Sequence, residues 1–334
     1  MRTVTTLPSA TEMAVALGLE PVGVSHECDY PPAVESLPSV TRSRIDADAE
    51  SGEIDRQVLE AVEDDGVYDV DVETLADLEP ELIVTQGICD VCAVDEVIVA
   101  DAVERIDADP DVLTTDPHTV SDVLSDLERL GRATDRIERA NEVRERLDGR
   151  IDRIRERTAD LTADDRPRVA VFDWTDPAMI AGHWTAELVE WAGGNYGLAS
   201  AGDRSRPREW DEIRAYDPEL VIVAPCGFSL AQIAENRSDL TGRDGWAELT
   251  AVREDRVWAM DGHHLLNRPG PRLVDTLEAI ARIVQPTLFD AARPADALEG
   301  VAAPFDRLSD RLASEGRLEP ETGSERRSTT ETEP

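Results

Sequence analysis

Short apolar runs alternate along the chain with stretches whose apolar residues recur every three or four positions. The runs read as buried strands and the periodic stretches as helices. Thr3 to Leu7 predicts a first strand, which Pro8 turns. Ser9-Ala10-Thr11-Glu12 then has the spacing of a capping box, and Met13, Ala16 and Leu17 form one helical face that Gly18 ends. Pro21 to Ser25 predicts a second strand. After it come one helix around Ile54–Val62 and a short one over Val72–Leu78. Leu82-Ile83-Val84-Thr85 is a strand, Val97–Arg105 a helix and Val112–Thr115 a strand edge.

From Val120 to about Leu161 Gly and Pro are absent except for Gly131 and Gly149. The spacing of Val123, Leu127 and Leu130, then Ile137, Ala140, Val143, Leu147, Ile151 and Ile154, predicts one helix followed by another of about 28 residues, roughly 42 Å long. Its heptads are not sustained, so it reads as a rigid strut rather than a coiled-coil arm. The second half repeats the first, with strands at Arg168–Phe172, Leu220–Ala224 and Arg256–Met260 and a helix at Leu273–Val284. The expected fold is therefore α/β, with two Rossmann-like lobes joined by one long helix and a ligand cleft between them. Expected boundaries are 1–118 for the first lobe, 119–165 for the connecting helices and 166–290 for the second lobe. Residues 291–334 are expected to form an acidic, disordered tail, with at most one helix near Phe305–Leu312.

Charge changes the picture. The chain carries 72 acidic against 34 basic residues, a formal net charge of −38, and every cation is Arg. Such a surface repels nucleic acid and anionic membrane. Its self-repulsion is screened only in concentrated salt, where at 1 M the Debye length falls to about 3 Å, so the composition suits the saline interior of an extreme halophile. Four cysteines in 334 residues do not make a disulfide framework. No apolar stretch is long enough to span a bilayer, and Met1 to Leu7 runs straight into a strand. The expectation is a cytoplasmic protein, or an extracytoplasmic, membrane-associated one if the true start lies upstream.

The candidate chemistry sits at strand ends. His26 and Cys28, Cys89 and Cys92, His183, Cys226, and His263 with His264 all fall within a few residues of a predicted strand terminus. In open α/β sheets, ligands bind at the carboxyl edge. Thiolate and imidazole suit zinc, copper, cobalt or iron, so His26, Cys28, Cys89 and Cys92 form a candidate transition-metal set. Trp174, Trp184 and Trp210 offer flat faces for a large planar ligand. Blander readings stand beside these: a C-x-x-C pair also serves redox chemistry, Cys226 alone reads as a packed thiol, and His118 beside Pro117 reads as a turn residue. His263 and His264 cannot both face inward if extended, and Asn267-Arg268 could simply anchor the turn that follows.

Leu7-Pro8-Ser9-Ala10-Thr11-Glu12 and Val22-Gly23-Val24-Ser25-His26-Glu27-Cys28-Asp29-Tyr30-Pro31 resemble the opening of the cobalamin and iron-siderophore substrate-binding proteins of ABC importers. Cys89–Val94, Gly182–Trp184, Pro225–Phe228 and Asn267–Arg272 resemble a cobalamin-binding branch of that family. The resemblance runs from about residue 2 to 286. It implies two α/β lobes on a helical backbone, a corrinoid or other metal chelate as ligand, an ABC permease as partner and no catalysis. It further implies a ligand site formed by His26, Cys28, Tyr30, Cys89, Cys92, His183, Trp184, Cys226, Asn267 and Arg268. Within that site His26 or His183 would be an axial ligand to cobalt, Trp184 and Tyr30 would pack on the macrocycle, and Arg268 would pair with a propionamide oxygen or phosphate. Asp211 is the implied permease-docking residue of the second lobe. A reading of a different class is a cytoplasmic metal-binding or redox protein using the same Cys/His cluster.

Overall fold

A computed structural model describes residues 1–63, 66–88, 94, 96–289, 298–309 and 312. The first lobe runs through β1 (Thr3–Thr5), α1 (Pro8–Ala16), β2 (Thr41–Ser43), α2 (Ser51–Glu63), β3 (Tyr68–Val70) and α3 (Val72–Asp77). It continues with β4 (Leu82–Gln86), α4 (Glu96–Glu104) and β5 (Asp111–Thr115). Strands β1, β4 and β5 form a parallel sheet in that order, and β2 pairs antiparallel with β3 in a separate ribbon. The predicted strand at Pro21–Ser25 joins only through single bridges, Val4 to Gly23 and Val24 to Ser39.

Two helices follow, α5 (Val120–Ala133) and α6 (Ile137–Thr158). Helix α6 is the predicted strut, but it has 22 residues. At its start Asp135 adopts a left-handed backbone (φ 55°) that separates it from α5. At its end the Thr158 hydroxyl donates back to Ile154 O and across to Trp191 O. The helix packs on α5, with Ala140 close against Gly131, and Arg139 Nε donates to Ala16 O of α1. On its other side Arg150 bonds Asp275 and Glu278 of the second lobe.

The second lobe contains β6 (Val169–Trp174), β7 (Met179–Ile180), α7 (Thr185–Trp191), β8 (Arg206–Pro207), α8 (Trp210–Tyr216) and β9 (Leu220–Val223). Then come α9 (Leu230–Glu235), α10 (Ser238–Thr241), α11 (Thr250–Arg253), β10 (Val257–Met260), α12 (Leu273–Val284) and β11 (Ala302–Pro304). Its sheet has the order β11-β10-β9-β6-β7-β8, parallel at its centre and antiparallel at both edges. The central strands Val169–Phe172 and Leu220–Val223 are buried throughout, as a parallel sheet covered on both faces requires. The tail expected to be disordered from 291 departs from that expectation. Ala302 and Ala303 pair with β10, and Leu298, Phe305, Leu308 and Leu312 bury their side chains in the core.

One local expectation fails at the first helix. Pro8 occupies its first turn, where no N–H is needed, and Leu7 is its cap without any side-chain bond. Ser9 and Glu12 therefore lie inside α1 rather than closing a capping box, and Glu12 is released for another role. Among the described residues no helix is long and apolar enough to cross a membrane.

Candidate functional site

The strand carboxyl ends of the two lobes face each other, and side chains bridge them at both flanks. At the first flank the loop His26–Pro31 meets the helical turn Gly262–Leu266 and the chain that follows it. Arg268 is the hub. It is only 5% exposed. Its Nη1 lies 2.5 Å from Asp29 Oδ1 and 3.6 Å from Glu12 Oε1, and its Nη2 donates to Asp29 Oδ2 at 3.1 Å and to Glu27 O at 3.3 Å. Arg272 Nη2 reaches Glu12 Oε1 at 2.6 Å, and its guanidinium lies 4.0 Å from the centre of the Tyr30 ring. Two buried or half-buried carboxylates thus face two guanidinium groups across the lobes, a forked pairing that lysine could not reproduce.

His263 and His264 complete this cluster. Because they sit on a helical turn rather than in an extended segment, both reach Asp29 Oδ2, at 3.1 and 2.9 Å. Burial opposes the Asp29 charge, yet the bonds from His263, His264 and Arg268 hold its carboxyl far below the usual range. Glu12 goes the other way: burial raises it against the Arg272 bond. Hydrogen bonds to Asp261 and Asp29 raise His264 to about 9 from the ordinary 6.5. A raised imidazole stabilises the fold fully below pH 6.5 and loses that contribution as pH rises through about 9. Urea denaturation of His264→Gln should therefore lack a fall in stability that the parent shows between those two values. An unchanged fall in the variant would remove His264 as its source.

At the second flank, His118, just past β5, faces His183 in the turn before α7, with Nδ1 atoms 3.3 Å apart. Burial first, then the neighbouring His118 and Arg204, lowers the pKa of His183. Between the flanks lie the ends of β6 and β9, with Cys226 three residues past β9 and its backbone N–H bonded to Asp173 O. A third bridge lies at α2, where Ser51 N–H donates to Asn236 Oδ1 and the Ser51 hydroxyl donates to Asp239.

The predicted site residues divide accordingly. His26, Tyr30, His183 and Cys226 are partly accessible at the facing edges. His26 Nδ1 lies 2.8 Å from the Thr41 hydroxyl, and burial lowers its pKa. Cys28 leaves the metal set: it is 5% exposed, its sulfur lies 3.0 Å from the Thr11 hydroxyl, and burial pushes its thiol up to about 11. A neutral thiol in a dry pocket is a packing group. Trp184 does not offer a face to a ligand. It is 6% exposed, with its indole N–H donating to Leu266 O at 2.8 Å. Asn267 anchors its turn, with Nδ2 donating to Ala224 O and Gly262 O at 3.1 Å each. Arg268 is buried and taken up by the Asp29 carboxylate, the Glu27 carbonyl and the His263 ring, so it does not face a propionamide or phosphate. Cys89 and Cys92 lie outside the described residues. Asp211 is on the outer face of α8, with its side chain 92% exposed.

Sequence reasoning missed Glu12, Asp29 and Arg272 as interlobe residues and set His118 aside. Glu12 carried a signal, since an acid in a helix whose first turn is set by Pro8 has no capping role and needs another partner. Asp29 carried none, being one acid among 72.

Known proteins share the sequence pattern and the fold of this chain. The sequence pattern of the family described as "Periplasmic binding protein" matches residues 4–263. An uncharacterized ABC transporter substrate-binding lipoprotein of Bacillus subtilis, YvrC, is 25% identical over 290 residues, covering 86% of this chain and 80% of its own length. The chain also resembles, at a TM-score of 0.59 and 20% identity, the periplasmic vitamin B12 binding protein BtuF of Vibrio cholerae, over 85% of this chain and 96% of that one. A periplasmic heme binding protein from Pseudomonas aeruginosa matches at a TM-score of 0.63 and 21% identity, over 86% of this chain and 93% of the other.

Proposed function

Because the chain belongs to the periplasmic binding protein family, we propose that it captures cobalamin or a related corrinoid between its lobes and presents it to an ABC permease. It is a binding protein and not an enzyme, which removes the redox-enzyme reading. The cytoplasmic expectation is corrected by the same findings. The family is one of periplasmic proteins, and the Bacillus relative is a lipoprotein.

The observation that carries the proposal is the convergence of loops from both lobes at the carboxyl ends of the parallel strands of two sheets, bridged at both flanks and bearing His26, His183 and Cys226. A metal chelate is the ligand class suited to such donors, and the vitamin B12 and heme proteins of the same fold supply the precedent. The resemblance of Gly182–Trp184, Pro225–Phe228 and Asn267–Arg272 to a cobalamin-binding branch favours the corrinoid. Its imidazole partner is His26 or His183. Asp211 on α8 is the proposed contact with permease arginines.

Titrating the protein in molar KCl with hydroxocobalamin should give saturable heat and a shifted visible spectrum as imidazole replaces water on cobalt. No heat and no shift, with cobalamin or its corrinoid precursors, would end the proposal. Saturable heme binding in their place would transfer it to that chelate.

A further inference from the structure

The His118–His183 pair stands apart from the Asp29 cluster, and its geometry is built from three directions. Asp116 Oδ1 lies 3.1 Å from His118 Nε2, which places the ring proton on Nε2 and leaves the lone pair on Nδ1, facing His183. His183 is held in a left-handed backbone (φ 51°), costly for a residue with a side chain. Its N–H donates to Asp203 O and its carbonyl accepts from Gly202 N. A side chain at Gly182 would meet Asp203 O at 2.2 Å, so the bend cannot relax in that direction. Finally, the His183 ring leans on the Trp184 ring, whose indole is tied to Leu266 O.

We propose that His118 and His183 form a two-imidazole site for a divalent first-row transition ion, clipping the lobes together at this flank. The Nδ1 atoms are 3.3 Å apart. With metal–nitrogen bonds of about 2.0–2.1 Å, that spacing corresponds to an angle of about 107° at the ion, close to tetrahedral. Asp116 supplies the outer carboxylate that metal-bound histidines characteristically have. The remaining positions on the ion would be filled by water or by a donor atom of a captured ligand. The Asp29, His263 and His264 cluster also brings three donor atoms within 4.8 Å of one another. There, however, the Arg268 guanidinium bonds both Asp29 oxygens, and a fixed cation in that position opposes a second one. The clip does not rest on the corrinoid reading, and its test contains no corrinoid.

The full chain, stripped with chelator and held in molar KCl to mask its acidic surface, is titrated with Co²⁺ by calorimetry and visible absorption. Saturable binding that His118→Ala abolishes and His264→Ala leaves intact is expected. Asp116→Asn should weaken it about 10- to 100-fold. Binding that is absent, that survives His118→Ala, or that is lost in His264→Ala overturns the proposal. Should His118→Ala fail to fold, the ring ¹⁵N shifts of the parent protein with Zn²⁺ decide. Nδ1 of both His118 and His183 must move; a shift confined to one ring, or absent from both, overturns the site.

Discussion

Arg268→Ala is expected to destabilise the protein by about 3–5 kcal/mol, the range found when one member of a buried ion pair is removed. Glu12 and Asp29 explain the size. Glu12 is 4% exposed and its Oε2 has no hydrogen-bond partner among the described residues, so it depends on the guanidinium groups beside it. Asp29 would keep His263 and His264 but lose both bonds of the fork. The loss falls between lobes, because Glu12 and Asp29 belong to one and Arg268 to the other. Urea denaturation in molar KCl measures it, with Arg268→Lys as the comparison: charge returns, the fork does not, and stability should fall between parent and alanine variant. A change below about 1 kcal/mol for Arg268→Ala, the scale of exposed surface pairs, would refute the hub role.

The second large effect concerns Trp184. Trp184→Ala should cost about 3–5 kcal/mol, as large-to-small changes of buried aromatic residues do. Trp184→Phe keeps most of the apolar volume but leaves Leu266 O without its donor, and should cost about 1–3 kcal/mol. Ligand capture by Trp184→Ala would then fail through the fold, with the urea midpoint falling in parallel. An alanine variant of parental stability that no longer captured cobalamin would instead restore the stacking role that the sequence suggested.

The strands and the strut were legible because each is written locally. Val169–Phe172 and Leu220–Val223 are unbroken apolar runs, and α6 shows its buried stripe at helical spacing. The ends of α6 were not legible, because a left-handed Asp135 and a threonine bonded back into its own helix leave no clear mark in sequence. The site was half legible. His26, His183 and Cys226 lie partly accessible past strand carboxyl ends, as their spacing suggested, but burial sends Cys28 and Trp184 inward. Partners far apart in the chain were invisible: Asp29 finds Arg268 239 residues away, and His118 finds His183 65 residues away. Glu12 was misassigned for a related reason, since Ser9-to-Glu12 spacing satisfies a local rule that Pro8 had already made unnecessary.

Strand β11 has a bearing on how the protein keeps to itself. An outermost strand with free N–H and C=O groups is a template on which a neighbouring molecule can add its own strand. By lying against β10, the Ala302–Pro304 segment occupies that template from within the chain. It ends in a proline, which has no N–H to offer a stranger, and Phe305 just beyond it is buried in the core. This short apolar segment thus guards the sheet against unwanted company as charge alone would not in concentrated salt, where repulsion between acidic surfaces is screened to short range.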